Sequence, residues 1–273
     1  MSFVWSLWTR AKEERLAIYH QALPGNLLLS SYNKYMIEIS QSIRDRAGKL
    51  RELLADRGLR FATVLSREFF TAKIHWFDFT KNNPALAGFP VTDIDKFTEF
   101  VDVTLREADA AMGVGGYGED RVLYRSKLFE SGGEARSIHL AVDLWVPADT
   151  EVYTPLAGQV HSFQDNNNYL DYGPTIILEH KLGEQVFYTL YGHLSRPSLV
   201  GLQVGRHFDA GERIGWIGQA SENGTWPPHL HFQVITDMLG KRGDFPGVAK
   251  PSESAEYLEL CPDPNLVLRI PKE

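Results

Sequence analysis

Cysteine is nearly absent: 273 residues hold one, Cys261, so an internal disulfide is excluded. A lone cysteine is expected to act as a small buried hydrophobe. Long apolar runs are missing too, and nothing approaches the roughly 18–20 residues of a membrane span. Basic residues number 28 against 35 acidic ones, for a net charge of −7, and form no cluster suited to a phosphate backbone. That argues against nucleic-acid binding. The start, MSFVWSLWTRAKEERL, lacks a basic opening, and charges follow its short apolar run at once. This does not read as a secretory signal, so the expected location is cytoplasmic. The glycine-rich run GVGGYGEDR has neither the spacing of a phosphate loop nor a following Lys-Ser or Lys-Thr. It reads as a linker into the β domain whose Glu119, Asp120 and Arg121 are taken as solvated loop charges, with a reach over the groove as the alternative. No His-Glu-x-x-His helix occurs, which excludes the zinc-protease class that uses its Glu as general base.

What is present is a histidine chemistry in two short clusters, HLAVD at 139–143 and HLHFQV at 229–234. Each alternates with apolar residues at a period of two, the signature of a strand with two different faces. His139, Ala141 and Asp143 should share one face, opposite Leu140, Val142 and Leu144. His229, His231 and Gln233 should likewise oppose Leu230, Phe232 and Val234. Neutral imidazoles and a carboxylate projecting from a packed β scaffold are suited to a transition metal with one open coordination position. Between the clusters, His193 ends QVFYTLYGHL and is a third candidate.

The string HLAVD, YTLYGHLS, GERIGWIG, PPHLHFQV resembles the lysostaphin-type (LytM-like) zinc metallopeptidases over roughly residues 113–268. That resemblance implies Zn2+ held by His139, Asp143 and His231, with His193 and His229 as the two catalytic histidines. A peptide or peptidoglycan-fragment substrate is implied as well. Histidine suits proton transfer near neutral pH, and His229 is taken as general base with His193 stabilising the oxyanion, or the reverse. Two departures stand out: Ala141 replaces a usual Gly, and Trp226-Pro227-Pro228 leads into the second cluster. Trp226 is either a substrate platform or a plug at the sheet's end. The variant WPPHLHFQ resembles modules found in larger proteins beside kinase-like and aminotransferase-like domains, which loosens the link to cell-wall peptide.

The expected fold class is α+β. A mainly helical N-terminal region spans 1–112, followed over 113–273 by a mostly antiparallel β domain of the duplicated-hybrid-motif type. Helical spacing runs from Leu28 through Tyr32, Tyr35 and Met36 to Leu54, with Gly58 as C-cap. A second helix is expected over Asp93–Met112. VLYRSKLF should be a strand, TIILEH a buried one, and DNNNYLDYGP a turn. His75, His161 and His180 read as structural, and His207 as exposed. Trp145, Tyr191, Trp216 and Trp226 are candidates to line a groove. Two alternatives remain: a non-haem Fe(II) site, which would leave two histidines unexplained, and a non-catalytic LytM-like regulator or binding module. A metallo-amidase acting on a cytoplasmic substrate is a variant of the lead reading.

Overall fold

Helical periodicity becomes structure in α1, Gln41–Ala55, where Ala47, Leu50 and Leu54 form the buried stripe and the Ser40 side chain caps the first turn. The computed structural model describes residues 39–90, 93–124, 129–131 and 133–272; the expected helical positions Leu28, Tyr32, Tyr35 and Met36 lie outside them. Gly58 is not the C-cap. The helix ends two residues earlier at Asp56, which is extended, and Asp56 Oδ1 accepts from the Gly58 N–H at 2.8 Å. An Asp side chain that bonds the backbone two residues on competes with the helix.

After α2, Arg67–Thr71, comes β1, Ile74–Phe77. Helix α3, Ile94–Glu107, starts at an Asp93 N-cap and buries Phe97 and Val101. It stops short of Met112 because Asp109 turns left-handed (φ 50°), freeing β2, Met112–Gly115, to join the sheet. Of the expected strand VLYRSKLF, Val122–Tyr124 instead forms a 3-10 turn, and residues 125–128 lie outside the described ones. All three side chains of that turn are buried.

The remaining strands are β3 Glu130–Ser131, β4 Glu134–Ala135, β5 Ile138–His139, β6 Val142–Trp145, β7 Glu151–Tyr153, β8 Gly158–Asn166, β9 Gly173–Leu182, β10 Gln185–Gly192, β11 His207–Phe208, β12 Arg213–Trp216, β13 His229–Ile235 and β14 Val248–Ala249. Helices α4, Ser254–Leu260, and α5, Asn265–Leu268, close the chain. Eight strands form the main sheet in the order β1-β2-β6-β13-β10-β9-β8-β11. All its pairings are antiparallel except β1 with β2. The expected helical region therefore contributes β1 as an edge of the sheet. TIILEH lies in β9 and is buried as expected, apart from a half-buried Glu179.

One face of the sheet packs on the main core, which includes Leu230, Phe232, Val234, Val142 and Leu144. The first metal cluster is not one continuous strand. It breaks at Leu140–Ala141 between β5 and β6, and Leu140 packs into a different cluster with Phe245 and Cys261. The tail wraps the domain: β14 pairs with β5, and arginines of α1 reach it through Arg44–Glu256 (2.5 Å) and Arg51–Glu259 (2.8 Å). Among the described residues no helix is long and apolar enough to cross a membrane.

Candidate metal centre

Strand register assembles the site. Asp143 on β6 pairs with His231 on β13, Gly115 lies opposite Asp143 on β2, and Gly192 lies opposite His231 on β10. Two ligand-type side chains thus sit side by side, flanked by residues without side chains. The glycines leave needed space: a Cβ at Gly115 would lie 2.5 Å from Arg121 Nη2 and 2.6 Å from the Trp145 ring. His139 arrives from β5, and His193 follows β10 in a left-handed conformation (φ 61°). That conformation is uncommon for a residue with a side chain. It is held by backbone bonds from His193 N–H to Tyr172 O and from Gly218 N–H to His193 O, both 2.8 Å.

Each of the four imidazoles lies against an acceptor that fixes its tautomer. Nδ1 of His139 is 3.0 Å from Gly116 O, that of His193 2.8 Å from Asn223 O, and that of His229 2.7 Å from Pro227 O. These nitrogens donate, so Nε2 is the bare nitrogen in all three. His231 is reversed: its Nε2 donates to Gln233 Oε1 at 3.1 Å, leaving Nδ1 bare. The bare nitrogens then converge on a carboxylate. His139 Nε2 is 3.2 Å from Asp143 Oδ2, and His231 Nδ1 is 3.2 Å from Asp143 Oδ1. Lone pairs facing a carboxylate repel unless a cation lies between them. His139 Nε2 and Asp143 Oδ1 are buried with no hydrogen-bond partner, a costly state for polar atoms. Ligand atoms of His139, Asp143 and His231 all fall within 4.8 Å of one another. Tetrahedral zinc with bonds near 2.0–2.2 Å sets its ligand atoms about 3.3 Å apart. The residues present therefore fit a zinc ion.

The protonation states fit as well. Burial, then the nearby Arg121 charge, pushes the His139 pKa down to about 4. Burial, then His229 and His231, holds His193 well below its ordinary value, and burial lowers His229. Burial alone would raise Asp143, but His139 and Arg121 hold its carboxyl below the usual range. Neutral imidazoles with an ionised carboxylate are the forms a metal binds.

Arg121 is the functional-site residue that the sequence reading missed. Expected in a solvated loop, it is 2% exposed. Its Nη1 donates to Asp143 Oδ2 at 2.5 Å and its Nε to Glu119 Oε2 at 2.8 Å. It shares Oδ2 with His139 Nε2 and leaves Oδ1 facing His231 Nδ1 and His229 Nε2. Such an outer partner orients a ligand. The sequence signal was Gly115, a strand glycine that marks close approach of another group.

The site opens into a cavity of about 500 Å³ lined by Asp143, His193, His229, His231 and Trp226, among others. Trp145 also lines it and stacks on His229 with centroids 5.2 Å apart. Of the other groove candidates, Tyr191 is fully buried in the main core, and Trp216 lies under the Arg213 guanidinium at 4.5 Å. Both are absent from the cavity lining. His180 is structural, with Nδ1 2.9 Å from Ala157 O and Nε2 2.7 Å from Thr189 Oγ1. His75 packs edge-on against Phe77, His161 lies beside the Ser162 hydroxyl, and His207 is exposed. Cys261 is buried beside Gln233.

Residues 137–242 match the model described as peptidase family M23. All five candidate metal and catalytic residues lie in that stretch, whereas Arg121 precedes it. No curated protein matches the chain. Among solved structures, it is similar to one from Pseudomonas aeruginosa assigned to peptidase M23, at 23% identity and TM-score 0.32, covering 48% of this chain and 43% of that one. It is similar to a zinc-containing peptidase from Vibrio cholerae at 24% identity and TM-score 0.33, covering 44% and 31%. The catalytic domain of the antimicrobial peptidase lysostaphin from Staphylococcus simulans matches at 27% identity and TM-score 0.34, covering 50% and 86%. The chain spans less than half the length of the first two.

Proposed function

We propose that this chain, whose residues 137–242 match the model of peptidase family M23, is a zinc-dependent hydrolase of a peptide or amide bond. One observation carries the reading: the buried, unpartnered His139 Nε2 and Asp143 Oδ1 converge with the bare Nδ1 of His231. These three residues would hold the ion. Zinc bound there would polarise the scissile carbonyl and lower the pKa of water in the site towards neutrality.

The other two histidines handle protons. His193 and His229 lie with ring centroids 4.1 Å apart, each with a bare Nε2. The His229 Nε2 is 4.0 Å from Asp143 Oδ1, beside the candidate ligands. It takes the proton of the attacking water as that oxygen adds to the carbonyl carbon. The C–N bond then breaks, and the same nitrogen returns the proton to the leaving amine. His193 Nε2 carries no hydrogen while the ring is neutral, so it stabilises an oxyanion only when protonated. With tilted rings this close, the pair holds one proton far more readily than two.

Short peptides are the proposed substrate class, with muropeptides the first to test. His229→Ala and His193→Ala should each keep zinc and lose about 10²–10⁴-fold in hydrolysis rate. Full activity in both variants with zinc bound would rule the mechanism out.

A further inference from the structure

The catalytic side of the cavity continues into an aromatic wall. Trp226 lies 6.5 Å from His193 between ring centroids. Its other neighbours are Phe97 at 6.3 Å and Tyr124 at 6.2 Å, both edge-on. Phe97, Tyr124 and Trp226 are all nine-tenths or more buried, yet each lines the cavity. Phe97 is fixed by α3, and Tyr124 by the 3-10 turn after Arg121. Both precede residue 137, so most of this wall is built by chain outside the segment that matches the family.

A cavity of about 500 Å³ is the size of a small-ligand pocket, which runs roughly 300–1,000 Å³. A few residues of a peptide fill it. Rings turned into the cavity gain from contact with an apolar group and gain little from glycine. Charges of both signs, Asp244 and Lys241, also line it, and they suit the polar ends of a short chain.

We propose that Phe97, Tyr124 and Trp226 form a subsite for a bulky apolar side chain next to the scissile bond. The substrate is then a short peptide or amide bearing an aromatic or large aliphatic residue, not an oligoglycine. This rests on the hydrolase reading above. Filling such a pocket is worth on the order of 10–100-fold in kcat/KM.

The test uses the full zinc-loaded chain with two readouts. In the first, short peptides identical except for Phe, Leu or Gly at the positions flanking one bond are followed by mass spectrometry, with pentaglycine alongside. Cleavage at Phe or Leu at least about tenfold faster than at Gly is expected, and Trp226→Ala should bring that ratio towards one. In the second, phenylalanine hydroxamate and glycine hydroxamate are titrated calorimetrically, with a tenfold or greater preference for the former expected. Equal rates and equal affinities would overturn the subsite. No cleavage of any peptide, with the hydroxamate preference intact and lost in Trp226→Ala, would overturn the hydrolase reading while supporting the subsite.

Discussion

Replacing Arg121 with Met should expose how the site is held together before any metal binds. The side chains of Arg121 and Asp143 are 1% and 3% exposed, and that of Glu119 is 10% exposed, so solvent screens this cluster little. The guanidinium gives Asp143 a 2.5 Å bond and Glu119 a 2.8 Å bond. Met fills a similar volume but leaves two carboxylates unpaired in a buried site. Breaking a buried pair from one side costs about 3–5 kcal/mol. At roughly 2–4 °C per kcal/mol for a large domain, Tm should fall by about 6–20 °C in zinc-free protein at neutral pH. Zinc bound beside Asp143 restores a positive charge to that carboxylate, so the loss in zinc-saturated protein should be at most half as large. The assay is calorimetric unfolding of wild type and Arg121→Met, each with chelator and with excess zinc. An apo loss below about 1 kcal/mol would refute the buried-pair argument. An equal loss with and without zinc would refute the claim that arginine and metal share one carboxylate.

Other perturbations follow from the same geometry. A Cβ at Gly247 would lie 2.0 Å from Tyr172 Oη and 3.0 Å from His231 Cε1, so Gly247→Ala should displace His231. It should lower zinc content with a stability loss of only about 1–3 kcal/mol, read by elemental analysis beside thermal melts. Burial lowers the His180 pKa to about 4, so between that value and its unfolded value near 6.5 the unfolded chain binds more protons. Stability from this group is complete above pH 6.5 and is lost as pH falls towards 4, by on the order of 3 kcal/mol. His180→Gln should remove that part of the acid sensitivity in urea melts run across the window; an unchanged slope would disprove it. Asp93 caps α3, its side chain accepting from Lys96 N–H, so Asp93→Ala should cost about 1 kcal/mol by urea denaturation. Because α3 carries Phe97, the same variant should weaken phenylalanine hydroxamate binding more than glycine hydroxamate binding.

The candidate metal ligands were legible because the spacing within each of the two clusters is local. His139 with Asp143, and His229 with His231, fall in clusters whose alternation the sequence displays, and the resemblance singled out His139, Asp143 and His231 among them as ligands. The break at Leu140–Ala141 was not visible, since HLAVD alternates as a strand would. Only the pairing of His139 with Val248, and of Asp143 with His231, shows two separate strands. Arg121 was missed for a related reason. Its partner Asp143 is 22 residues away, and a charge after a glycine run reads locally as solvated. IHWF gave no strand signal stronger than its aromatic content, and its parallel register with MGVG depends on a crossover that passes through α3. VLYRSKLF carried strand-like residues, but Val122, Leu123 and Tyr124 are buried in one cluster with Phe97 and Val101 of α3. In each miss a tertiary contact overrode a local pattern.

Metal content measured on the same samples as peptide release tests the central claim most directly. Wild type and His231→Ala are purified without added metal, analysed for zinc, and assayed on muropeptides and on the Phe- and Gly-containing peptides. The account predicts about one zinc per chain in wild type, its loss in His231→Ala, and hydrolysis that disappears with it. Absence of zinc from both proteins after incubation with the ion, or equal zinc in both, would contradict it.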